Sequence, residues 1–199
     1  MGRKSKADIR KKEILENFYH VLKDTGLENA SIAKIADRMD VNPSLLIHYF
    51  KSKEAMVEDL VHFILNRFEH AFSVSLDGVE KPKRRFEHII NMIFGIEWLE
   101  VIDHSVFYAC YYLKSKNQKI LNRFQALYDR FSDFLVDEAK VWIELGIVSG
   151  YSPREIAEYL IVMNEGITYY HGVRQDREAY IRRATFFKRL TLETFNASV

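Results

Sequence analysis

Cysteine, proline and glycine are all scarce in this sequence of 199 residues, which contains one Cys, three Pro and eight Gly. A single cysteine, Cys110, excludes an internal disulfide framework and any zinc site built from several cysteines. Hairpin turns between alternating polar and apolar residues are missing as well, since Asp77-Gly78 is the one such dipeptide and joins two segments of helical periodicity. The sequence therefore predicts an all-α protein, long enough to bury a core without covalent or metal support.

Long uncharged apolar runs are also absent. The most apolar stretch, residues 89–113, carries Glu97, Glu100 and Asp103 near its middle, which argues against a membrane span. The basic N-terminus is followed by no apolar segment of the kind found in secretory signals. We therefore expect a cytoplasmic protein without a membrane partner.

The formal net charge of +1 conceals an uneven distribution along the chain. Residues 1–53 contain 11 Lys/Arg and 7 Asp/Glu, a balance of +4, whereas the rest of the chain carries −3. A basic N-terminal part on an acidic body indicates a polyanionic partner, and a solvated basic tail is the alternative.

Apolar periodicity predicts about nine helices, and local signals mark where several of them begin. Pro43, Pro82 and Pro153 each stand at a position suited to the first residue of a helix, where the missing N–H is not needed. Ser152 and Glu155 have the spacing of a capping box. The predicted helices lie near residues 6–24, 31–39, 43–50, 52–74, 83–100, 104–115, 118–146, 153–172 and 177–197.

The stretch from Ser31 to Lys53 has the spacing of a helix-turn-helix, in which two short helices are joined by about three residues. Its predicted core anchors are Ile35, Ala36, Val41, Leu46 and Phe50. An ordinary three-helix bundle is the alternative explanation of the same pattern. Four residues remain for a groove-facing side of the second helix: Ser44, Leu45, His48 and Tyr49.

The same stretch resembles a known family. Leu46-Ile-His-Tyr-Phe-Lys-Ser-Lys-Glu-Ala-Met56 is similar to the L-Y-x-Y/H-F-x-S/N-K-E-x-L signature of TetR-type transcriptional regulators, and Ser31 to Ala36 is similar to their T/S-x-x-x-I-A element. The resemblance spans about residues 7–60. Beyond residue 60 it consists of length, helix count and a Glu165-Gly166-Ile167 segment like the family's D-G-L in the penultimate helix.

The resemblance implies a DNA-binding domain over residues 1–53, with a basic arm at 1–12, and a helical ligand-binding and dimerisation domain over residues 54–199. A helix from about 53 to 74 connects the two. It also implies phosphate contacts by Ser31, Lys34, Tyr49 and Lys53, and an arm that follows the minor groove. The residues implicated in DNA binding are Arg3, Lys4, Lys6, Ser31, Lys34, Asn42, Pro43, Ser44, Leu45, His48, Tyr49 and Lys53.

One position departs from the family pattern. Where the family has a tyrosine whose hydroxyl contacts a phosphate, this sequence has Ile47, which cannot form that bond. Either Tyr49 or Lys51 supplies the contact, or the protein makes fewer phosphate contacts there. Inward packing of Ile47 is the alternative role for its side chain.

The last two helices carry apolar stripes that the resemblance assigns to a two-fold dimer interface. Burial against the same chain is the alternative, and both helices are apolar over an arc wide enough for both. The predicted interface consists of Ile156, Leu160, Met163, Ile167, Phe186, Phe187, Leu190 and Phe195.

The middle helices are dense in aromatic residues, which suits either a core or an apolar ligand pocket with a few polar groups. The resemblance places an effector there, and we expect it to be apolar or aromatic. The candidate ligand-binding residues are Phe94, Glu97, Trp98, His104, Phe107, Tyr108, Tyr111, Tyr128, Asn164, Glu165 and Tyr169.

We therefore expect a dimeric transcriptional regulator, a ligand-released repressor of a palindromic operator, with no cofactor, metal or catalytic residue. No zinc-ligand spacing, Walker loop, G-x-S-x-G or G-x-G-x-x-G motif is present in the sequence. Two alternatives stay open. One is an all-α protein-interaction module without DNA binding, and the other is a small α-helical enzyme using Glu97, His104 and Glu165.

Overall fold

The computed structural model describes residues 6–96 and 103–197, and these residues form nine α-helices. No strand occurs within them. The all-α prediction is therefore confirmed. The helices are α1 (Lys6–Asn29), α2 (Ile32–Met39), α3 (Pro43–Phe50), α4 (Lys53–Ser75), α5 (Pro82–Ile93), α6 (His104–Leu113), α7 (Gln118–Glu144), α8 (Pro153–Arg174) and α9 (Arg177–Thr194).

Helix starts follow the local signals in the sequence. Pro43, Pro82 and Pro153 are each the first residue of a helix. Ser152 accepts a hydrogen bond from the Glu155 N–H while the Glu155 carboxylate accepts one from the Ser152 N–H, which completes the capping box. These contacts satisfy N–H groups that have no partner inside the helix.

Two predicted helix ends differ from the structure by more than one helical turn. α1 was expected to stop near Asp24, but helical turns continue to Asn29 after a kink at Gly26, whose φ of 75° is a conformation that glycine adopts without strain. The helix predicted over 83–100 ends at Ile93, because Phe94 leaves helical geometry and the Asn164 side chain donates to the Ile93 carbonyl oxygen at 2.9 Å. The Ile93 carbonyl oxygen, which could accept from a further turn of helix, is thus hydrogen-bonded by a residue distant in the sequence instead.

The chain divides into two compact units. The first consists of Met1–Glu69 and Ile102–Gln125. Within it α1 packs against α2, α3 and α6, and α2 packs against α3. Its buried apolar side chains come from every one of its helices and include Ile14, Phe18, Ile35, Leu46, Phe50, Leu60, Val106 and Phe124.

The second unit consists of His70–Val101 and Ala126–Val199. Its core is built on Trp142, which is fully buried and meets the Phe86 ring edge to face at a centroid distance of 4.9 Å. α8 and α9 pack against each other. The remaining core is contributed by α5, α7, α8 and α9, through Ile89, Ile90, Leu135, Ala139, Ile156, Ala157, Leu160, Tyr180 and Ala184.

No helix within residues 6–96 and 103–197 is long and apolar enough to cross a membrane.

Candidate functional site

The predicted helix-turn-helix is formed by α2, α3 and the three residues between them. Asp40 has left-handed backbone geometry (φ 53°), and the Val41 N–H donates to the Ala36 carbonyl oxygen at 3.0 Å, so the chain reverses tightly. Ala36 is fully buried, and so is Leu46 on the facing helix. Of the predicted anchors, Val41 alone is half-buried rather than buried.

One face of α3 is left open by this packing. Ser44, Ile47 and His48 are exposed, and Lys51, the C-cap residue that follows the helix, is exposed as well. The spacing i, i+3, i+4 puts the three helical residues on one stripe, and Lys51 stands at its C-terminal end. No residue of α3 carries a negative charge. The stripe is therefore an exposed, acid-free surface of the kind that enters a DNA groove.

Ile47 does not pack inward, since 51% of its surface is exposed. That alternative is wrong, because Leu46 and Phe50 already occupy the core side of α3. Leu45 and Tyr49 are half-buried at the margins of the stripe, and the Tyr49 ring meets the His48 ring edge to face at 5.5 Å. Lys51 was already an alternative source of the phosphate contact in the sequence, whereas Ile47 was not among the predicted contacts, although its spacing from Ser44 gives the signal.

The N-cap residues of α2 and α3 have hydrogen-bond donors still available. The Ser31 hydroxyl oxygen accepts from the Lys34 N–H at 3.2 Å, and the Asn42 side-chain oxygen accepts from the Ser44 N–H at 2.9 Å. Each cap uses an acceptor, so the Ser31 O–H and the Asn42 NH₂ group remain able to donate. Donors next to a helix N-terminus favour a phosphate oxygen.

Among the cations of residues 6–53, Lys23 pairs with Asp103 and the half-buried Lys11 lies over the Phe50 ring. The others fall into two groups. Arg10, Lys12 and Arg38 pair with Glu13, Glu16 and Asp24, at 2.6, 3.5 and 3.1 Å. A second group is exposed and forms no salt bridge within the described residues: Lys6, Lys34, Lys51 and Lys53. Three of these four were predicted DNA contacts, and Lys53 is the first residue of α4, where the helix dipole disfavours a cation.

Asp103 ties α6 to α1 inside the first unit. Its N–H donates to the Tyr19 hydroxyl oxygen at 2.9 Å, and its carboxylate lies 3.5 Å from the Lys23 ammonium. Burial acts to raise the pKa of the Asp103 carboxyl, but hydrogen bonds from Ser105 and Val106 and the charge of Lys23 outweigh it and lower that pKa. Helix α6 is thus anchored to α1 through its own N-cap.

The aromatic candidates for a ligand site are distributed over both units. In the first unit, Phe107 lies 6.3 Å from Phe68 and 5.7 Å from Phe124, and Tyr111 lies 5.4 Å from Phe124, between ring centroids. Tyr108 adjoins Phe107 edge to face at 5.7 Å. The rings form a packed cluster around the α6–α7 pair.

Cys110 lies on the same helix and is 1% exposed. Burial raises the pKa of its thiol to about 12. A thiol that stays protonated at neutral pH is a poor nucleophile and a poor redox sensor.

In the second unit, one predicted pair is brought together. The Tyr128 hydroxyl donates to the Glu165 carboxylate at 2.6 Å, and both side chains are half-buried. Phe94 is a core residue, Tyr169 is 61% exposed, and Asn164 is occupied in ending α5, so these three do not join that pair as ligand-facing residues. Arg3, Lys4, Glu97 and Trp98 lie outside the described residues, as does the side chain of His104.

The predicted dimer stripes are partly wrong. Ile156, Leu160, Ile167 and Phe195 are at most 6% exposed within their own chain, so they have no surface left for a partner. Met163, Phe187 and Leu190 are half-buried, and Phe186 is 46% exposed. The apolar side chains that α8 and α9 do expose are Val162, Tyr169, Tyr170, Val173, Ile181 and Phe186.

Within the described residues no group of three or more His, Cys, Asp or Glu side chains is placed to hold a metal ion.

Comparison with known proteins gives two family matches that together span most of the chain. Residues 14–60 match the family described as bacterial regulatory proteins, tetR family. Residues 81–197 match the family described as tetracyclin repressor-like, C-terminal domain.

Curated relatives include two transcriptional regulators named BetI. The chain is 29% identical over 126 residues to BetI 1 of Chromohalobacter salexigens, which covers 62% of this chain and 61% of that protein. It is 27% identical over 124 residues to BetI of Proteus mirabilis, covering 61% of this chain and 62% of that protein. The chain thus matches less than two thirds of the length of these relatives.

Two solved structures show the same fold. A TetR transcription regulator from Haloarcula marismortui superposes with a TM-score of 0.80 at 14% identity, covering 94% of this chain and 98% of that one. A transcriptional regulator from Saccharomonospora viridis, solved in complex with choline, superposes with a TM-score of 0.79 at 16% identity, covering 93% of this chain and 96% of that one.

Proposed function

Because this chain belongs to the TetR family of bacterial regulatory proteins, we propose that it is a transcriptional regulator that binds operator DNA through residues 1–53. Residues 54–199 serve ligand binding and dimerisation. The observation that carries the proposal is the acid-free stripe of Ser44, Ile47, His48 and Lys51.

The chemistry of this stripe and its margins suits a duplex. Cations without a salt bridge attract the phosphates, and the donors left on Ser31 and Asn42 fix the register of the protein on the backbone. Ser44 and His48 are placed to hydrogen-bond base edges, and the half-buried Leu45 and the exposed Ile47 present methyl groups to thymine. A surface that serves only a protein partner has no need of this combination, which disfavours the interaction-module alternative.

The proposal is tested by selecting bound duplexes from a random-sequence pool at physiological salt, followed by affinity measurements over a range of salt concentrations. We expect a pseudo-palindrome with half-sites about 34 Å apart, or a multiple of that, and a steep linear fall of log affinity with log salt. Failure to enrich any duplex, or an affinity indifferent to salt, contradicts the proposal and favours the interaction module.

We infer that a homodimer is the binding unit, because one short recognition helix reads only a few base pairs. The exposed apolar residues of α8 and α9 supply an interface in place of the buried stripe residues. Exposed apolar side chains concentrated on two adjacent helices are typical of an association surface.

We also propose that the protein is a repressor released by a small organic cation, in place of the apolar or aromatic effector expected from the sequence, with Tyr128 and Glu165 in its binding site. The Glu165 carboxylate accepts a hydrogen bond from the Tyr128 hydroxyl, so a carboxylate and an aromatic ring occur together, a combination that recognises quaternary ammonium groups. The choline complex of the Saccharomonospora viridis regulator supports choline as the first probe.

Titration calorimetry with choline tests this effector. Glu165→Gln is expected to weaken binding about tenfold or more, since it removes the charge opposite the cation. Glu158→Gln is the matched control, because Glu158 is exposed on the same helix and pairs only at the surface with Arg154. Choline binding that is unaffected by Glu165→Gln, or absent from the wild type, overturns the effector proposal and leaves the DNA-binding proposal intact.

A catalytic role has less support. Of the three groups on which the enzyme alternative depends, Glu165 is occupied by Tyr128, and the other two side chains, those of Glu97 and His104, lie outside the described residues. The family to which the chain belongs consists of regulators.

A further inference from the structure

A second basic segment lies in the same compact unit as the helix-turn-helix. Residues 104–125 contain four Lys/Arg and no Asp or Glu, and they fall entirely within the first unit. Residues 54–103 and 126–199, by contrast, hold 14 Lys/Arg and 21 Asp/Glu. Outside residues 1–53, a net positive charge is therefore found in the segment around the junction of α6 and α7, and the rest is net negative.

Three lysines at this junction form what we term the loop cluster: Lys114, Lys116 and Lys119. The Lys114 ammonium lies 3.4 Å from the centroid of the Tyr111 ring, and the Lys116 ammonium lies 5.3 Å from that of Tyr112, which is 61% exposed. Neither lysine forms a salt bridge within the described residues. Aromatic rings orient an ammonium group without cancelling its charge, so these two cations remain available to an anion.

Glu58 fixes the loop cluster beside the start of α4. Its carboxylate accepts from the Asn117 side-chain N–H at 2.9 Å and lies 3.2 Å from the Lys119 ammonium. Glu58 is five residues after Lys53, which corresponds to about 7.5 Å along the helix. Glu58, which holds the loop, is therefore about one and a half turns along α4 from Lys53, the proposed phosphate contact, and the same unit also contains the exposed Lys34 and Lys51.

We propose that the loop cluster is a second DNA-binding site, which contacts backbone phosphates of the duplex beyond the base pairs that α3 reads. The ligand class is the phosphate backbone of double-stranded DNA, and the site rests on the proposed function. Lys114 and Lys116 supply the charge, the exposed Tyr112 supplies a hydroxyl donor, and Lys119 is held by Glu58. Contacts of this kind add affinity and salt dependence without adding sequence preference.

The test compares wild type, Lys114→Gln/Lys116→Gln and the control Lys81→Gln/Lys83→Gln. The control removes the same charge from two exposed lysines of the second unit. Each protein is titrated with two duplexes carrying the sequence recovered from a random pool, one trimmed to that sequence and one extended by about one helical turn on each side. Far-ultraviolet circular dichroism verifies that all three proteins are folded.

We expect the Lys114→Gln/Lys116→Gln protein to bind the extended duplex about tenfold more weakly than wild type, with a salt slope shallower by about two. Binding to the trimmed duplex stays unchanged, and the control behaves as wild type on both. An equal loss of affinity in the Lys81→Gln/Lys83→Gln control contradicts the DNA-binding role of the loop cluster, and so does unchanged binding of the extended duplex by the Lys114→Gln/Lys116→Gln protein. Neither result contradicts the proposed function. A wild type that binds neither duplex overturns both.

Vesicles containing phosphatidylglycerol distinguish DNA from another polyanion. The contradicting outcome has two parts: wild type binds the vesicles and the Lys114→Gln/Lys116→Gln protein does not, while both proteins bind the extended duplex equally. In that case the loop cluster binds a membrane surface and the proposal is wrong.

Discussion

Single side chains in the first unit carry two roles at once, and the cap residues show how. Ser31 and Asn42 each close a helix N-terminus with an acceptor and keep a donor that the cap does not use. Their choice as caps was readable from the sequence, because Ser and Asn are preferred there for local reasons. The exposure of Ile47 was not readable, since an isoleucine in a short amphipathic helix fits either the core or the surface.

Lys53 gives a direct test of a phosphate contact. Lys53→Ala is expected to weaken binding to specific and random duplexes by similar factors and to lower the salt slope by about one, because a phosphate contact carries no base information. Lys140→Ala is the control, since Lys140 is exposed and pairs with Asp137 in the second unit. Quantitative duplex titration at several salt concentrations makes the measurement, and an unchanged affinity removes Lys53 from the interface.

Asp103 predicts a pH dependence of stability. Since its pKa in the folded protein is lowered, below an unfolded value near 3.9, the carboxylate stabilises the fold above that value, and this contribution is lost as the pH falls through the folded pKa. Asp103→Asn keeps a cap acceptor and loses the ion pair with Lys23.

The free energy of unfolding of Asp103→Asn is therefore expected to be lower than that of wild type at pH 7, with a gap that narrows towards pH 3. Urea denaturation at both pH values measures it. Asp77→Asn is the control, because Asp77 is exposed and forms no salt bridge within the described residues. A gap that is constant between the two pH values contradicts the role given to the Asp103 carboxylate.

At the scale of helices, beginnings were predictable and some ends were not. The proline starts and the capping box depend on residues within one turn of each other, so the sequence contains the whole signal. The end of α5 depends on Asn164, which lies 71 positions later in the chain. A contact between distant segments does not change the apolar periodicity of the helix that it ends, so this end could not be predicted from the local sequence.

The capping box of α8 is the helix start most open to measurement. Ser152→Ala removes the acceptor for the Glu155 N–H and is expected to lower the free energy of unfolding by about 1 kcal/mol. Ser149→Ala, at an exposed serine three positions earlier, serves as the control. Chemical denaturation measures the free energy of unfolding of both variants. If the two values are equal, the Ser152 cap does not contribute to stability.

For the whole molecule, sequence and family resemblance predicted the all-α fold and the helix-turn-helix but misassigned part of the dimer surface. α8 and α9 are apolar over a wide arc, and periodicity alone does not say which side meets the chain's own core. The packing of Trp142 and its neighbours decides this, by burying Ile156 and Leu160 and leaving Val162 and Phe186 outside.

Phe186 is the residue with which to test the dimer. Phe186→Glu places a charge in the proposed interface and is expected to convert a dimer at micromolar concentration into a monomer, as observed by sedimentation velocity. Leu145→Glu is the control, since Leu145 is 57% exposed and lies just beyond α7. A wild-type monomer, or a Phe186→Glu dimer as stable as wild type, rejects the α8–α9 interface.

The burial of Cys110 has a practical consequence for every experiment on this protein. The Cys110 thiol, the one thiol of the chain, is buried and protonated at working pH. Maleimide dyes and thiol-reactive spin labels therefore have no native site to react with on the folded chain. A cysteine introduced at any chosen surface position is then the sole point of attachment, so distances and motions can be followed spectroscopically without first deleting the original residue.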